Sequence, residues 1–233
     1  MVLTPAGERF LPYAKRIVGL LSEAGGAARA TDRPERIRVG VHSTFARQAV
    51  SLVVGALDEE HWSITLRDAH TDQIIEMLLD GVLDIGFVLA GARPPQLRFA
   101  PLRPDPVVCV CAPDHDLADR RRVSVSALSP YKVAFNRWGS GVAEALSLFE
   151  SARLPVWSWT ECPDSTTAVY LAQHRGYLAF VASSFVEDDL AGARMAKVRL
   201  QQSMKWTVRL TLAFPSKDAR KPAIDRICRA ARS

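Results

Sequence analysis

One pattern governs what this chain can fold into: short apolar strands alternate with amphipathic helices, and the alternation runs twice. In the first run, Ile37 to Val41 reads as a strand and Thr44 to Leu57 as a helix with Phe45, Ala49, Val50, Val53, Val54 and Leu57 on one face. Ile64 and Leu66 lie in a second strand. Thr71 caps a helix that buries Ile75, Leu78, Leu79 and Val82, with Gly81 near its end, and Leu83 to Leu89 forms a third strand. Such short connections predict a parallel sheet with helices packed on it.

Pro94, Pro95, Pro101, Pro104 and Pro106 then mark an extended connection into a strand, Val107 to Ala112. The pattern starts again: strand Val133 to Phe135, helix Val142 to Ala152, strand Val156 to Thr160, helix Thr166 to Gln173, strand Leu178 to Ala182. Trp157 and Trp159 alternate in the middle strand as packing or interface residues. Two βαβαβ-type halves on either side of a Pro-containing passage predict two α/β lobes around a cleft. A long strand, Trp206 to Phe214, leads to a last helix, Ala223 to Ala231, with Ile224, Ile227, Cys228 and Ala231 on one side. The pattern leaves open which lobe that helix joins.

Ahead of the alternation stands a helix with its own punctuation. Thr4 suits the N-cap, Pro5 the first helical position, and Gly25-Gly26 the end. Leu3, Phe10 and Ile17 recur at heptad spacing, as do Ala6, Tyr13 and Leu20, giving a narrow apolar seam. The seam could pack back onto the body, but its narrowness favours pairing with a copy of itself. Ala27 to Glu35 reads as a linker.

Composition removes several classes. The longest run without Lys, Arg, Asp or Glu is Gly176 to Val186, 11 residues, against the ~20 that a membrane-spanning helix needs. No basic-then-apolar leader opens the chain, so a non-exported, cytoplasmic protein is expected. Four cysteines at irregular spacing (Cys109, Cys111, Cys162, Cys228) make no disulfide framework. Cys109 and Cys111 point to one face of a strand as small buried hydrophobes. Of the formal net charge of +5, the segment from Lys217 onward supplies +4, with six basic and two acidic residues. The rest of the chain is therefore no obvious DNA clamp.

Small hydroxyl residues open helices just after strands at three places: Val41-His42-Ser43-Thr44, Asn136 to Gly141, and Asp164-Ser165-Thr166-Thr167. Ser, Thr and Asp are ordinary N-caps. Helix N-termini at the carboxyl ends of parallel strands also suit a small anion, above all a carboxylate. Catalytic and metal patterns are absent. Gly139-Ser140-Gly141 lacks the Gly a nucleophile elbow needs two residues before Ser, where Trp138 stands. His42, His61, His70, His115 and His174 have no ligand spacing. His42 fits a capping role better than a ligand contact, and Asp114-His115-Asp116 reads as a polar turn. Arg120-Arg121-Arg122 reads as a solvated cluster. No enzyme activity, cofactor or metal is expected.

The order of elements resembles the LysR-type transcriptional regulators, from their linker helix through the effector-binding region. Leu3-Thr4-Pro5-Ala6-Gly7 is similar to the entry of that linker helix, and Leu79-Asp80-Gly81-Val82-Leu83-Asp84-Ile85 to the family's Leu-x-x-Gly-x-Leu-Asp segment. Ala112-Pro113-Asp114-His115-Asp116-Leu117-Ala118 resembles a Pro-x-x-His-Pro-Leu-Ala turn, with Asp116 in place of the second Pro. Trp138-Gly139-Ser140-Gly141 and Gly176 to Ser183 resemble the second-lobe pattern.

The resemblance implies two Rossmann-like lobes of periplasmic-binding-protein type around a central cleft, preceded by a linker helix at residues 1–26. Lobe I would take residues 34–102 plus 207–233, and lobe II residues 103–206. A small effector would contact Ser43, Thr44, Phe45, Leu89, Ala90, Trp138, Ser140, Asp164, Ser165, Thr166, Val181 and Ser183. Homo-dimers or tetramers would form through lobes and linker helix. DNA would be bound only through a winged helix-turn-helix that should precede Leu3. The competing expectation is a transporter's solute-binding protein with the same two lobes.

Overall fold

The computed structural model describes residues 3–28, 35–57, 62–89, 91–216 and 221–231. It divides into two compact units, residues 1–102 with 210–233, and residues 103–209.

The first unit opens with α1 (Pro5–Ala28). The Gly7 amide donates to Thr4 Oγ1 at 3.2 Å, the N-cap bond that the Thr-Pro start calls for. Gly25-Gly26 does not end this helix, which runs to Ala28; a glycine lowers helix stability without stopping propagation. Leu3, Phe10, Leu11, Tyr13, Ile17, Val18 and Leu21 are all exposed. They form a stripe wider than a two-position seam. Gly19, on the opposite side of the helix, comes near the body of the unit, where a Cβ would lie 4.0 Å from the Gly81 carbonyl. The apolar face is therefore turned away from that contact.

Next come β1 (Glu35–Val41), α2 (Ala46–Leu57), β2 (Trp62–Asp68), α3 (Thr71–Leu79), β3 (Ile85–Val88) and β4 (Leu97–Pro101). The chain returns later with β11 (Thr211–Pro215) and α7 (Lys221–Ala230). The sheet order is β2-β1-β3-β11-β4. β1, β2 and β3 are parallel, as the alternation predicts, whereas β11 is antiparallel to both neighbours. The all-parallel expectation is corrected on this edge: Leu97–Pro101 falls within the passage read as an extended connection, and its strand partner lies over a hundred residues downstream. Ile74, Ile75 and Leu78 of α3 pack with Leu83, Val88, Leu97 and Ala213. Ala49, Val53 and Leu57 of α2 and Ile224 and Ile227 of α7 are buried, and α2 packs against α7. The last helix thus belongs to the first unit.

The second unit contains β5 (Asp105–Cys111), β6 (Val133–Phe135), α4 (Val142–Ser151), β7 (Trp159–Glu161), α5 (Ser165–Arg175), β8 (Leu178–Ala182), α6 (Glu187–Ala191), β9 (Ala196–Val198) and β10 (Thr207–Val208). Its order is β10-β5-β8-β6-β7, with β9 also on β5. β8, β6 and β7 are parallel, and β5 runs against β8. Alternation along β5 sends Cys109 and Cys111 into one core with Phe135, Phe149, Phe180 and Trp206. Val108 and Val110 enter the other with Ala134, Ala168 and Val181. The Phe180 and Trp206 rings stack at 6.2 Å.

Two sequence expectations fail here. The strand Val156 to Thr160 is a 3-10 turn, Val156–Ser158, followed by β7. Ser158 Oγ donates to the Pro155 carbonyl at 2.7 Å, closing the turn and leaving Trp157 76% exposed while Trp159 packs. The strand Trp206 to Phe214 breaks into β10 and β11, which join different units, so its register serves two partners.

Candidate functional site

Parallel strands put their carboxyl ends on one edge of a sheet, and the loops that leave those ends carry the residues singled out in the sequence. In the first unit the ends belong to β2, β1 and β3. His42 leaves β1 extended and caps the 3-10 turn Ser43–Phe45: the Thr44 amide donates to His42 Nδ1 at 3.3 Å and the Phe45 amide to the His42 carbonyl at 2.8 Å. The capping expectation for His42 holds. Thr44 and Phe45 are buried, and Ser43 is exposed. The Ser43 amide donates to Asp68 Oδ1 at 2.7 Å, joining the ends of β1 and β2. The Leu89 amide donates to Thr71 Oγ1 at 3.1 Å, joining β3 to the start of α3. The His42 and His70 rings lie 4.8 Å apart. Ala90 lies outside the described residues.

In the second unit β8, β6 and β7 end side by side. Asp164 caps α5, its Oδ1 accepting the Thr167 amide at 2.7 Å. Ser165 is buried and its Oγ accepts from Asn136 Nδ2 at 3.2 Å, while Thr166 is exposed. Ser183 begins a 3-10 turn after β8. Its neighbour Ser184 donates to Asp105 through the amide at 3.2 Å and through the hydroxyl at 2.5 Å. Val181 lies within β8 with its side chain in the core, so the turn after the strand does not present it. Burial, and secondarily Asp164, push the Cys162 thiol above its ordinary value.

The segment Trp138 to Gly141 is held from below. The Trp138 carbonyl accepts Trp206 Nε1 at 2.7 Å. Ser140 and Thr207 exchange both backbone hydrogen bonds at 2.8 Å, and Ser140 Oγ also donates to the Thr207 carbonyl at 3.4 Å. Gly139 and Gly141 have φ of +92° and +85°, and a Cβ on either would collide with the carbonyls of Thr207 and Lys205. Gly141, not Ser140, stands at the N-cap of α4. The Gly-Ser-Gly pattern thus answers to the close passage of residues 205–208.

The bare helix ends expected for a carboxylate are largely occupied. Ser43, Thr44, Leu89, Ser140 and Thr167 donate their amides to Asp68, His42, Thr71, Thr207 and Asp164. Asp68 and Asp164 place negative charge where a bound anion would gain most from the helix dipole. Side-chain hydroxyls, the imidazole pair and Trp138 are left as the distinctive groups. Asp68 and Asp105 escaped the sequence reading; Asn136 was named only as part of its segment, and His70, not Thr71, stands at the N-cap of α3. Asp68 and His70 carried the same signal as His42, a polar run between strand and helix, whereas the Asn136–Ser165 bond has no local signature. Among the described residues, no three His, Cys, Asp or Glu side chains gather as a metal site.

Comparison with known proteins gives this arrangement a lineage. Residues 30–233 match the family described as LysR substrate binding domain. The Mycobacterium avium protein named "Probable hydrogen peroxide-inducible genes activator" is 28% identical over 131 residues, 54% of this chain and 42% of that one. The "RuBisCO operon transcriptional regulator" of Allochromatium vinosum is 26% identical over 157 residues, 66% of this chain and 52% of that one. The chain spans about half the length of these relatives. In fold it is similar to CbnR, a LysR family transcriptional regulator, with a TM-score of 0.67 at 18% identity, covering 99% of this chain and 82% of the other.

Proposed function

Because the chain belongs to the LysR substrate-binding domain family, we propose that it is the effector-sensing part of a transcription regulator, binding a small metabolite through the strand-end loops of its two units and doing no chemistry on it. The observation that carries the reading is the repeated arrangement of capped loops at the carboxyl ends of β2-β1-β3 and of β8-β6-β7. In that reading the contacts fall on Ser43, Thr44, Phe45 and Leu89 in one unit. In the other they fall on Trp138, Ser140, Asp164, Ser165, Thr166 and Ser183, with Val181 contributing only backbone. Of an anionic and an aromatic effector, the satisfied amides favour the aromatic one, because Asp68 and Asp164 repel an anion. The effector acts by preferring one arrangement of the protein over another. Sequence-specific DNA recognition is assigned to a region outside these residues, and self-association to the apolar face of α1, in the cytoplasm.

A thermal-shift screen of small aromatics and carboxylates tests this. A ligand of the native state at about 100 times its Kd stabilises by ~2.7 kcal/mol. Ser43→Ala and Trp138→Ala each weaken a hit by ~1–2 kcal/mol. Unchanged affinity in both variants rejects the assignment.

A further inference from the structure

Away from those loops, the second unit gathers cations on one surface. A parallel bridge joins Val123 to Leu200, with the Val123 amide donating to the Arg199 carbonyl at 2.9 Å and the Gln201 amide to the Val123 carbonyl at 2.8 Å. Val123 is buried and Leu200 packs on the same core. The residues one step earlier, Arg122 and Arg199, therefore face outward on neighbouring chains, and both are exposed. Chains paired in this way run ~4.8 Å apart, and like charges set side by side across such a pair are destabilising.

Lys197 extends the same side of β9 by two residues, ~7 Å, and Arg120 and Arg121 adjoin Arg122; all are exposed. The ion pairs described are Arg38–Asp84, Arg137–Glu161 and Arg194–Asp189, so none of the five cations shares in one among the described residues. Of the acids nearby in sequence, Asp116 accepts the Tyr131 hydroxyl at 3.3 Å, while Asp114 and Asp119 are exposed in the same loop.

We infer that this surface binds the phosphate backbone of nucleic acid without regard to base sequence. A row of cations without an ion pair among the described residues carries a repulsive cost that a polyanion removes, and guanidinium groups match phosphate oxygens in pairs. Val198 and Leu200 turn inward to the core and Tyr131, beside Arg120, packs on it too, so the outward face is charged, unlike the desolvated apolar centre of a protein interface. This inference goes beyond the effector reading and does not depend on it. It also departs from the expectation that DNA is met only through a preceding domain.

The test titrates the 233-residue chain into a labelled duplex of unrelated sequence at several salt concentrations and reads anisotropy. Binding is expected to fall with salt, each phosphate contact contributing ~0.9 to the log–log slope. Arg122→Gln with Arg199→Gln lowers the slope by about 2 and melts no lower than the parent, since it relieves a repulsion. Arg121→Gln, outside the bridge, lowers it by about 1. Arg229→Gln, on the basic helix α7, leaves it unchanged. Absence of binding at the lowest salt, an unchanged slope in the double variant, or an equal fall in Arg229→Gln overturns the inference. So does stronger competition by polyglutamate of matched charge, which would assign the surface to an acidic protein.

Discussion

Arg38 holds Asp84 on both sides of the same carboxylate: its amide donates to Oδ2 at 2.7 Å, Nε to Oδ2 at 3.1 Å and Nη2 to Oδ1 at 2.7 Å, while the Asp84 amide returns a bond to the Arg38 carbonyl at 2.9 Å. Asp84 is 1% exposed, and the pair joins β1 to the loop entering β3. Removing Asp84 takes this carboxylate from a guanidinium that is 19% exposed and leaves the Arg38 amide without its bond to Oδ2. Asp84→Ala is therefore expected to cost about 3–5 kcal/mol in urea denaturation, and a loss under 1 kcal/mol would place the pair with ordinary surface bridges.

Gly139 and Gly176 separate two reasons for glycine. Both have positive φ, but Gly176 has open space where a Cβ would stand, whereas Gly139 faces the Thr207 carbonyl. Gly176→Ala should cost about 1–2 kcal/mol from backbone conformation alone. Gly139→Ala must also displace the backbone of Thr207 and Val208, so its melting point should fall clearly further. Equal losses would show that this crossing yields easily.

The thiols of β5 tie stability to alkaline pH. Burial, helped by Asp114, pushes Cys111 up to about 11, and burial, helped by Cys111, raises Cys109 well above its ordinary value. The unfolded chain releases these protons first, so their contribution is complete below pH ~9 and is lost as pH rises toward the folded values. Urea midpoints should fall between pH 8 and 10.5, and less so in Cys111→Ala. Native protein should also react slowly with thiol reagents at neutral pH. Rapid labelling of Cys109 or Cys111 would contradict their packing.

The stripe on α1 predicts association. Phe10 and Ile17 are 62% and 52% exposed in the single chain, and large apolar patches of this kind mark interfaces. Phe10→Asp with Ile17→Asp should shift sedimentation toward the monomer while leaving the melting of the two α/β units intact. An unchanged sedimentation coefficient would remove α1 from the assembly.

The helices and the parallel strands were legible in the sequence because their signal is local. Apolar spacing in Ala49, Val53 and Leu57, or the run Leu178 to Ala182, depends on no distant partner. β4 and β9 escaped because an antiparallel edge strand is selected by what lies beside it, as Leu97 meets Pro215, whereas β11 was read only as the end of one long strand from Trp206. Trp157 misled because its alternation with Trp159 mimics a strand, whereas Pro155 and Ser158 close a turn beneath it. At the candidate site, the caps could be read but their occupancy could not. That Asp68 takes the Ser43 amide, and Thr207 that of Ser140, depends on which strand ends become neighbours.

The placing of β11 between β3 and β4 sets an order of events during synthesis. The sheet of the first unit lacks an inner strand until residues 211–215 have left the ribosome, whereas residues 103–209 hold every strand of the second. The second unit can therefore close its sheet before β11 emerges, while the β3 edge of the first still awaits residues 211–215.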